Sequence, residues 1–86
     1  MTRLYLPHDE ADEEEELHKL HERIQAEQAV VPEGMQYAVE VLQRLAAMLA
    51  ARVPLESFEA ALEHELETTP REMTYAQQML SRIMQP

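Results

Sequence analysis

The scarcity of glycine is the feature that most constrains what this chain folds into. Its 86 residues include one Gly and five Pro, so few positions suit the tight turns that join neighbouring β-strands. Helices joined by short breaks marked by Pro fit this composition better. With one Phe, three Tyr and no Trp, the core must consist mainly of Leu, Ala, Val, Ile and Met. The sequence therefore predicts an all-α protein, a small helical bundle.

Two breaks and one capping motif divide the chain into about four helices. We place the breaks at 31–34, which contains the Gly, and at 53–54. Thr69, Pro70 and Glu72 predict another helix start, with Thr69 as N-cap, Pro70 at the first helical position and Glu72 three residues after the cap. The predicted helices are approximately 10–30, 34–52, 54–67 and 70–84. This pattern shows no internal repeat.

The length predicts a single domain, residues 1–86, with residues 1–8 as a flexible or docking arm. A chain this short forms a core of marginal stability, which favours self-association or partner binding. The first helix has one narrow apolar stripe at nearly heptad spacing, formed by Leu17, Leu20 and Ile24. We leave open whether this helix packs on its own bundle or in trans on another chain. The second helix is apolar over more of its circumference, which predicts a central position.

An acidic run precedes that stripe and has two interpretations. Seven of the eight residues from 9 to 16 are carboxylates: Asp9, Glu10, Asp12, Glu13, Glu14, Glu15 and Glu16. The favoured interpretation is a solvated helix start that complements the helix dipole and confers solubility. Alternatively, the carboxylates imitate the phosphates of nucleic acid and occupy a basic groove on another protein. The third helix also carries acids along one face, and charge on both helices would make mimicry more convincing.

Histidine and methionine each offer a further candidate site. Glu14, His18 and His21 share a helix face and have the donor types of a zinc site, but a stable site needs a further ligand. Exposed histidines on an acidic helix are the simpler interpretation, so we predict no metal and no cofactor. The methionines at 35, 48, 73, 79 and 84 either fill the core or form an adaptable binding groove. We favour core filling, with Met84 in the last turn as the surface exception.

Several functional classes fit the sequence poorly. A single Gly excludes a phosphate-cradling loop, and neither Ser lies in a nucleophile elbow, so we predict no enzyme. The net charge of −10 opposes binding to nucleic acid or to an anionic membrane. No apolar run approaches the roughly 20 residues that span a bilayer. Together with the absence of Cys, this favours the cytoplasm.

The remaining prediction is a small acidic protein–protein interaction module. It is an adaptor, a chaperone-like partner or an inhibitor, of bacterial or phage type, that docks a helix face under the guidance of negative charge. Its partner is another protein with a basic surface, or a second copy that forms a homodimer. The alternative is an inhibitor that mimics nucleic acid. The predicted partner-binding residues are Glu13, Glu14, Glu15, Glu16, Leu17, Leu20 and Ile24.

Overall fold

The fold is a bundle of α-helices, which confirms the predicted class. The computed structural model describes the backbone of residues 5–85 and the side chains of residues 12–85. Within that range the helices are α1 (Tyr5–Val30), α2 (Gln36–Ala50), α3 (Leu55–Thr68) and α4 (Thr74–Met84). Residues 5–85 contain no β-strand. The helices are therefore joined by short segments that contain Pro, as the composition predicted.

All the helices contribute to one apolar core, and α1 packs on the other helices of its own chain. α2 and α4 supply most of the fully buried side chains because each carries a wide apolar face. α1 and α3 each supply two. The core residues are Leu20, Ile24, Ala38, Val41, Leu42, Leu45, Phe58, Leu62, Ala76, Met79, Leu80 and Ile83. The intramolecular packing of α1 settles the question that its narrow stripe left open.

The N-terminal boundary differs from the prediction. α1 begins at Tyr5, so residues 5–8, which we assigned to an arm, belong to the helix. Residues 1–4 lie outside the described part of the chain. Pro7 does not interrupt α1 because it lies in the first turn, where its missing N–H has no intrahelical partner to lose. Proline was therefore a misleading boundary signal at this position.

The predicted helix start at Thr69 and Pro70 is wrong. Thr69 is the C-cap residue of α3, and its buried hydroxyl donates a hydrogen bond back to the Glu65 carbonyl. The Pro70 carbonyl accepts the Met73 N–H at 3.0 Å, which closes a turn. α4 begins only at Thr74. The hydroxyl of Thr69 thus ends one helix instead of beginning the next.

From residue 17 onward, the α1–α2 hairpin corresponds to the α3–α4 hairpin at a shift of 38 positions. Every core residue of the first hairpin has a core counterpart in the second: 20 with 58, 24 with 62, 38 with 76, 41 with 79, 42 with 80, and 45 with 83. Identical residues occupy 17 and 55, 27 and 65, 32 and 70, 35 and 73, 37 and 75, 38 and 76, 42 and 80, and 44 and 82. The expectation of no internal repeat was therefore wrong.

Reciprocal ion pairs join the two hairpins. Arg44 of α2 donates to both carboxylate oxygens of Glu65 in α3, at 2.9 and 2.8 Å. Arg82 of α4 donates to both oxygens of Glu27 in α1, each at 2.8 Å. Each arginine thus pairs with the glutamate of the other hairpin, the contact pattern of an approximate two-fold axis. The hydrogen bond from Arg44 is also the main reason that the pKa of Glu65 lies below its usual value.

A Schellman motif ends α2. Arg52 donates its N–H to the Leu49 carbonyl at 3.0 Å, and Val53 donates to the Met48 carbonyl at 3.3 Å. Arg52 occupies the left-handed position of the motif with φ of 61°, where glycine is usual. The sharp reversal between the hairpins therefore carries backbone strain.

Candidate interaction surfaces

The apolar residues predicted to dock a partner lie mainly in the protein's own core. Leu20 is 4% exposed and Ile24 is 1% exposed, while Leu17 is partly buried against the same core. Their stripe on α1 packs within the bundle. In this fold, Leu20 and Ile24 offer no surface to a second protein.

The four predicted glutamates have different surroundings. Glu13 accepts the backbone N–H of Leu55 at 2.9 Å, which satisfies an amide at the start of α3, whose own N-cap residue supplies no side-chain hydrogen bond. Glu14 and Glu15 are exposed, and Glu15 lies 3.9 Å from the Lys19 ammonium. Glu16 is half-buried. Glu13 is therefore partly structural, whereas Glu14 and Glu15 face solvent.

An acidic face extends across α1 and α3. We define it as Glu16, Glu56, Glu59, Glu63 and Glu67. The α3 members are exposed, and no residue of the described range forms a hydrogen bond or ion pair with them. Glu16, Glu59 and Glu63 line one depression of about 260 Å³ together with Arg23, whose guanidinium donates to the Ile83 carbonyl. The acidic array therefore includes carboxylates from both helices.

Most basic side chains in residues 12–85 form an ion pair or a hydrogen bond within the protein. Lys19, Arg44 and Arg82 lie beside glutamates, and Arg23 donates to the Ile83 carbonyl at 3.0 Å. Their charges lie at defined positions within and between the hairpins. The acidic face itself has no basic partner among the described residues.

The histidines form no metal cluster in the part of the chain that the structure describes. His18 Nε2 lies 3.2 Å from a Glu22 carboxylate oxygen, and both side chains are exposed. Across the described residues, no three His, Asp or Glu side chains converge as a metal site requires. Glu14, His18 and His21 instead line a broad surface depression beside the end of α2.

A second surface, which we call the methionine groove, lies where the two copies of the repeated segment meet. It is lined by residues 34–38 and 72–76 and has a volume of about 370 Å³. Met35 and Met73 are the N-cap residues of α2 and α4, with nearly identical φ and ψ of −88° and 61°, and −87° and 63°. They are 40% and 38% exposed. Tyr37 and Tyr75 are half-buried beside them.

The methionines were predicted to fill the core, with a binding groove as the alternative and Met84 as the surface exception. In the structure they divide between buried and exposed positions. Met79 is fully buried, and Met48 and Met84 pack partly buried against the core. Met35 and Met73 face solvent instead. The spacing of Met35 and Met73 along the chain does not indicate that they lie together in the fold. The Pro-x-x-Met-x-Tyr-Ala segment that contains each of them is the one signal in the sequence that links the two positions.

Searches against protein-family models, curated proteins and solved structures found no match for this chain. Among the described residues, no helix has the length and apolar character needed to cross a membrane.

Proposed function

We propose that this protein is an acidic interaction module that binds a partner protein carrying a basic surface. The observation that supports this most directly is the acidic face, whose α3 carboxylates have no partner within the described residues. In a chain with a net charge of −10, such a face raises the rate of encounter with a cationic partner. The module acts as an adaptor, a chaperone-like partner or an inhibitor, without catalysis, in the cytoplasm.

The burial of the α1 stripe changes which residues we assign to docking. Leu20 and Ile24 belong to the core, so the acids of α1 and α3 take the leading role. Glu13 is left out of the binding set because its carboxylate holds the start of α3. The partner is therefore proposed to contact a helix face that carries separated carboxylates, and electrostatic attraction mainly guides it there.

Capture of partners from the source organism's lysate at two salt concentrations tests this proposal. The test variant is Glu59→Gln with Glu63→Gln. The matched control, Glu22→Gln with Glu40→Gln, changes the net charge equally outside the acidic face. We expect wild type and control to retain a basic partner at about 0.05 M salt, and the test variant to lose it. Wild type should also lose it at about 0.5 M salt, where the Debye length falls to a few ångströms.

The result that overturns the proposal is capture that neither salt nor the test variant changes. Binding would then depend on something other than the acidic face. Equal losses with the test and control variants would show that net charge alone controls capture, and would also contradict the assignment to this face.

Mimicry of nucleic acid is the second candidate, favoured by one specific observation. Glu16 from α1 lines the same depression as Glu59 and Glu63 from α3, so the acidic array is not confined to one tail. Mimicry predicts that duplex DNA or RNA competes for the captured partner and displaces it from this protein. A partner that stays bound in excess nucleic acid would favour ordinary protein docking.

A further inference from the structure

We propose that the methionine groove docks an amphipathic helix of the partner protein, with that helix's apolar side chains seated between Met35 and Met73. The inference rests on the proposed function for the positive charge of the partner. It adds a second contact to the one made by the acidic face, and it states that the docked segment of the partner is a helix.

Met35 and Met73 occupy helix N-cap positions, where methionine is unusual. Ser, Thr, Asp and Asn are the usual N-cap residues because a side-chain oxygen can accept an orphan amide of the first turn. Methionine offers no such oxygen, and neither Met35 nor Met73 forms a side-chain capping hydrogen bond. Both also expose apolar surface. Helix stability therefore does not explain methionine at either position, whereas contact with an apolar ligand does.

The two walls of the groove are formed by equivalent residues. The two-fold arrangement of the hairpins places one Met and one Tyr from each copy around the same groove. Flexible thioethers adjust to varied apolar side chains, and half-buried tyrosines provide rigid contact area with a polar edge. An apolar side chain entering near the axis would meet equivalent residues on both sides.

The all-α surface bears on the form that an occupant of the groove takes. Residues 5–85 contain no sheet, so an extended peptide has no strand edge to extend. An amphipathic helix that lays its apolar face in a groove between helices is a recognition mode that suits an all-α surface.

Charge selects a basic partner over a second copy of this chain. Glu72 lines the groove, Glu33 and Arg71 are next to lining residues in the chain, and all three are exposed. Each chain carries a net charge of −10, so pairing of two chains through this face would bring like charges together. A partner helix with a basic outer face is instead attracted by the negative charge of this protein.

A synthetic peptide of about 18 residues provides a defined probe. Leu on one helical face and Lys on the other gives it the required amphipathic pattern. The control peptide has the same composition, rearranged so that the Leu residues share no face. Binding is measured by fluorescence anisotropy, and the site is located through the methyl NMR signals of the methionines. We expect the signals of Met35 and Met73 to shift and that of buried Met79 to remain.

Serine substitutions test the same site without removing core residues. Met35→Ser with Met73→Ser should weaken binding of the amphipathic peptide at least tenfold while preserving the circular dichroism spectrum. Val30→Ser is the matched control, since Val30 is apolar and 66% exposed but lies outside the groove. It should leave the affinity unchanged. The control peptide should bind at least tenfold more weakly than the amphipathic one.

Three outcomes would overturn the inference. In the first, the peptide binds and the serine substitutions have no effect. In the second, the rearranged peptide binds equally well. In the third, sedimentation without peptide shows a dimer that the serine substitutions dissociate, which would assign the groove to a second copy of the chain. Failure of the proposed function has a different signature: Glu59→Gln with Glu63→Gln leaves partner capture and its salt dependence unchanged.

Discussion

The ion pair between Glu27 and Arg82 offers a quantitative test of the two-fold arrangement. Its two N–O distances are 2.8 Å, and the Glu27 and Arg82 side chains are 12% and 47% exposed. Hydrogen bonds to charged groups contribute about 1.5–3 kcal/mol, whereas fully exposed ion pairs contribute about 0.2–1 kcal/mol. Because Arg82 is half in solvent, screening reduces the larger figure. We expect a coupling free energy of about 1 kcal/mol.

The single substitutions should differ in cost. Glu27→Gln leaves an exposed guanidinium that water can solvate, so the free energy of unfolding should fall by about 1 kcal/mol. Arg82→Ala leaves a largely buried carboxylate without its partner. It also removes a guanidinium that lies 5.7 Å from the centre of the Tyr75 ring, a contact of about 0.5 kcal/mol at such a site. The expected total for Arg82→Ala is about 2 kcal/mol.

Urea unfolding followed by circular dichroism measures both single variants, the double variant and the wild type. The same cycle at Arg44 and Glu65 should give a coupling within about 0.5 kcal/mol of the first, because their side chains are 52% and 13% exposed, close to the values of the first pair. If one pair couples by about 1 kcal/mol and the other by nearly zero, the two hairpins are not energetically equivalent. The two-fold reasoning would then be refuted even though the geometry is reciprocal.

Further stability predictions concern the backbone, a cap and acid. Arg52→Gly should raise the free energy of unfolding by about 0.5–1 kcal/mol in urea unfolding, because Arg52 has φ of 61°. Gly34→Ala should lower it by about 1 kcal/mol through backbone strain alone, since φ is 91° and no heavy atom lies within 4 Å of the added Cβ. Glu13→Ala should cost about 1 kcal/mol by thermal unfolding, with Glu14→Ala as a near-neutral control. The pKa of Glu65 is lowered by folding, so its stabilisation is present above the unfolded value of about 4.3 and disappears as pH falls through the folded pKa. The difference in unfolding free energy between wild type and Glu65→Gln should therefore shrink in acid.

Sequence patterns predicted the helices because Pro and the spacing of apolar residues act over a few neighbouring positions of the chain. The Pro-containing breaks and the apolar face of α2 led to helix positions close to those observed. The errors arose where a residue's role depends on distant contacts or has local alternatives. Thr69 has the side chain of an N-cap, but its hydroxyl satisfies the end of the preceding helix. Leu20 and Ile24 resemble an unpartnered seam until α2, α3 and α4 surround them.

The candidate sites were harder to predict because each joins distant segments. The acidic face requires α1 beside α3, and the methionine groove requires the start of α2 beside the start of α4. The repeat was detectable in principle from the Pro-x-x-Met-x-Tyr-Ala segments at 32–38 and 70–76. Its other identities are sparse, and the intervening residues differ. The fold shows that the copies face each other, through the reciprocal pairs of Arg44 and Arg82 and the groove that they share.

The separation of the acidic face from the methionine groove leads to a kinetic prediction. Charges that steer encounter act mainly on the association rate, whereas seated apolar contacts act mainly on the dissociation rate. In stopped-flow binding of the amphipathic Leu/Lys peptide, Glu59→Gln with Glu63→Gln should slow association several-fold at low salt, with little effect at high salt. Met35→Ser with Met73→Ser should speed dissociation at both salt concentrations. If the methionine substitutions change only association, or the glutamate substitutions change only dissociation, steering and docking are not divided between these surfaces.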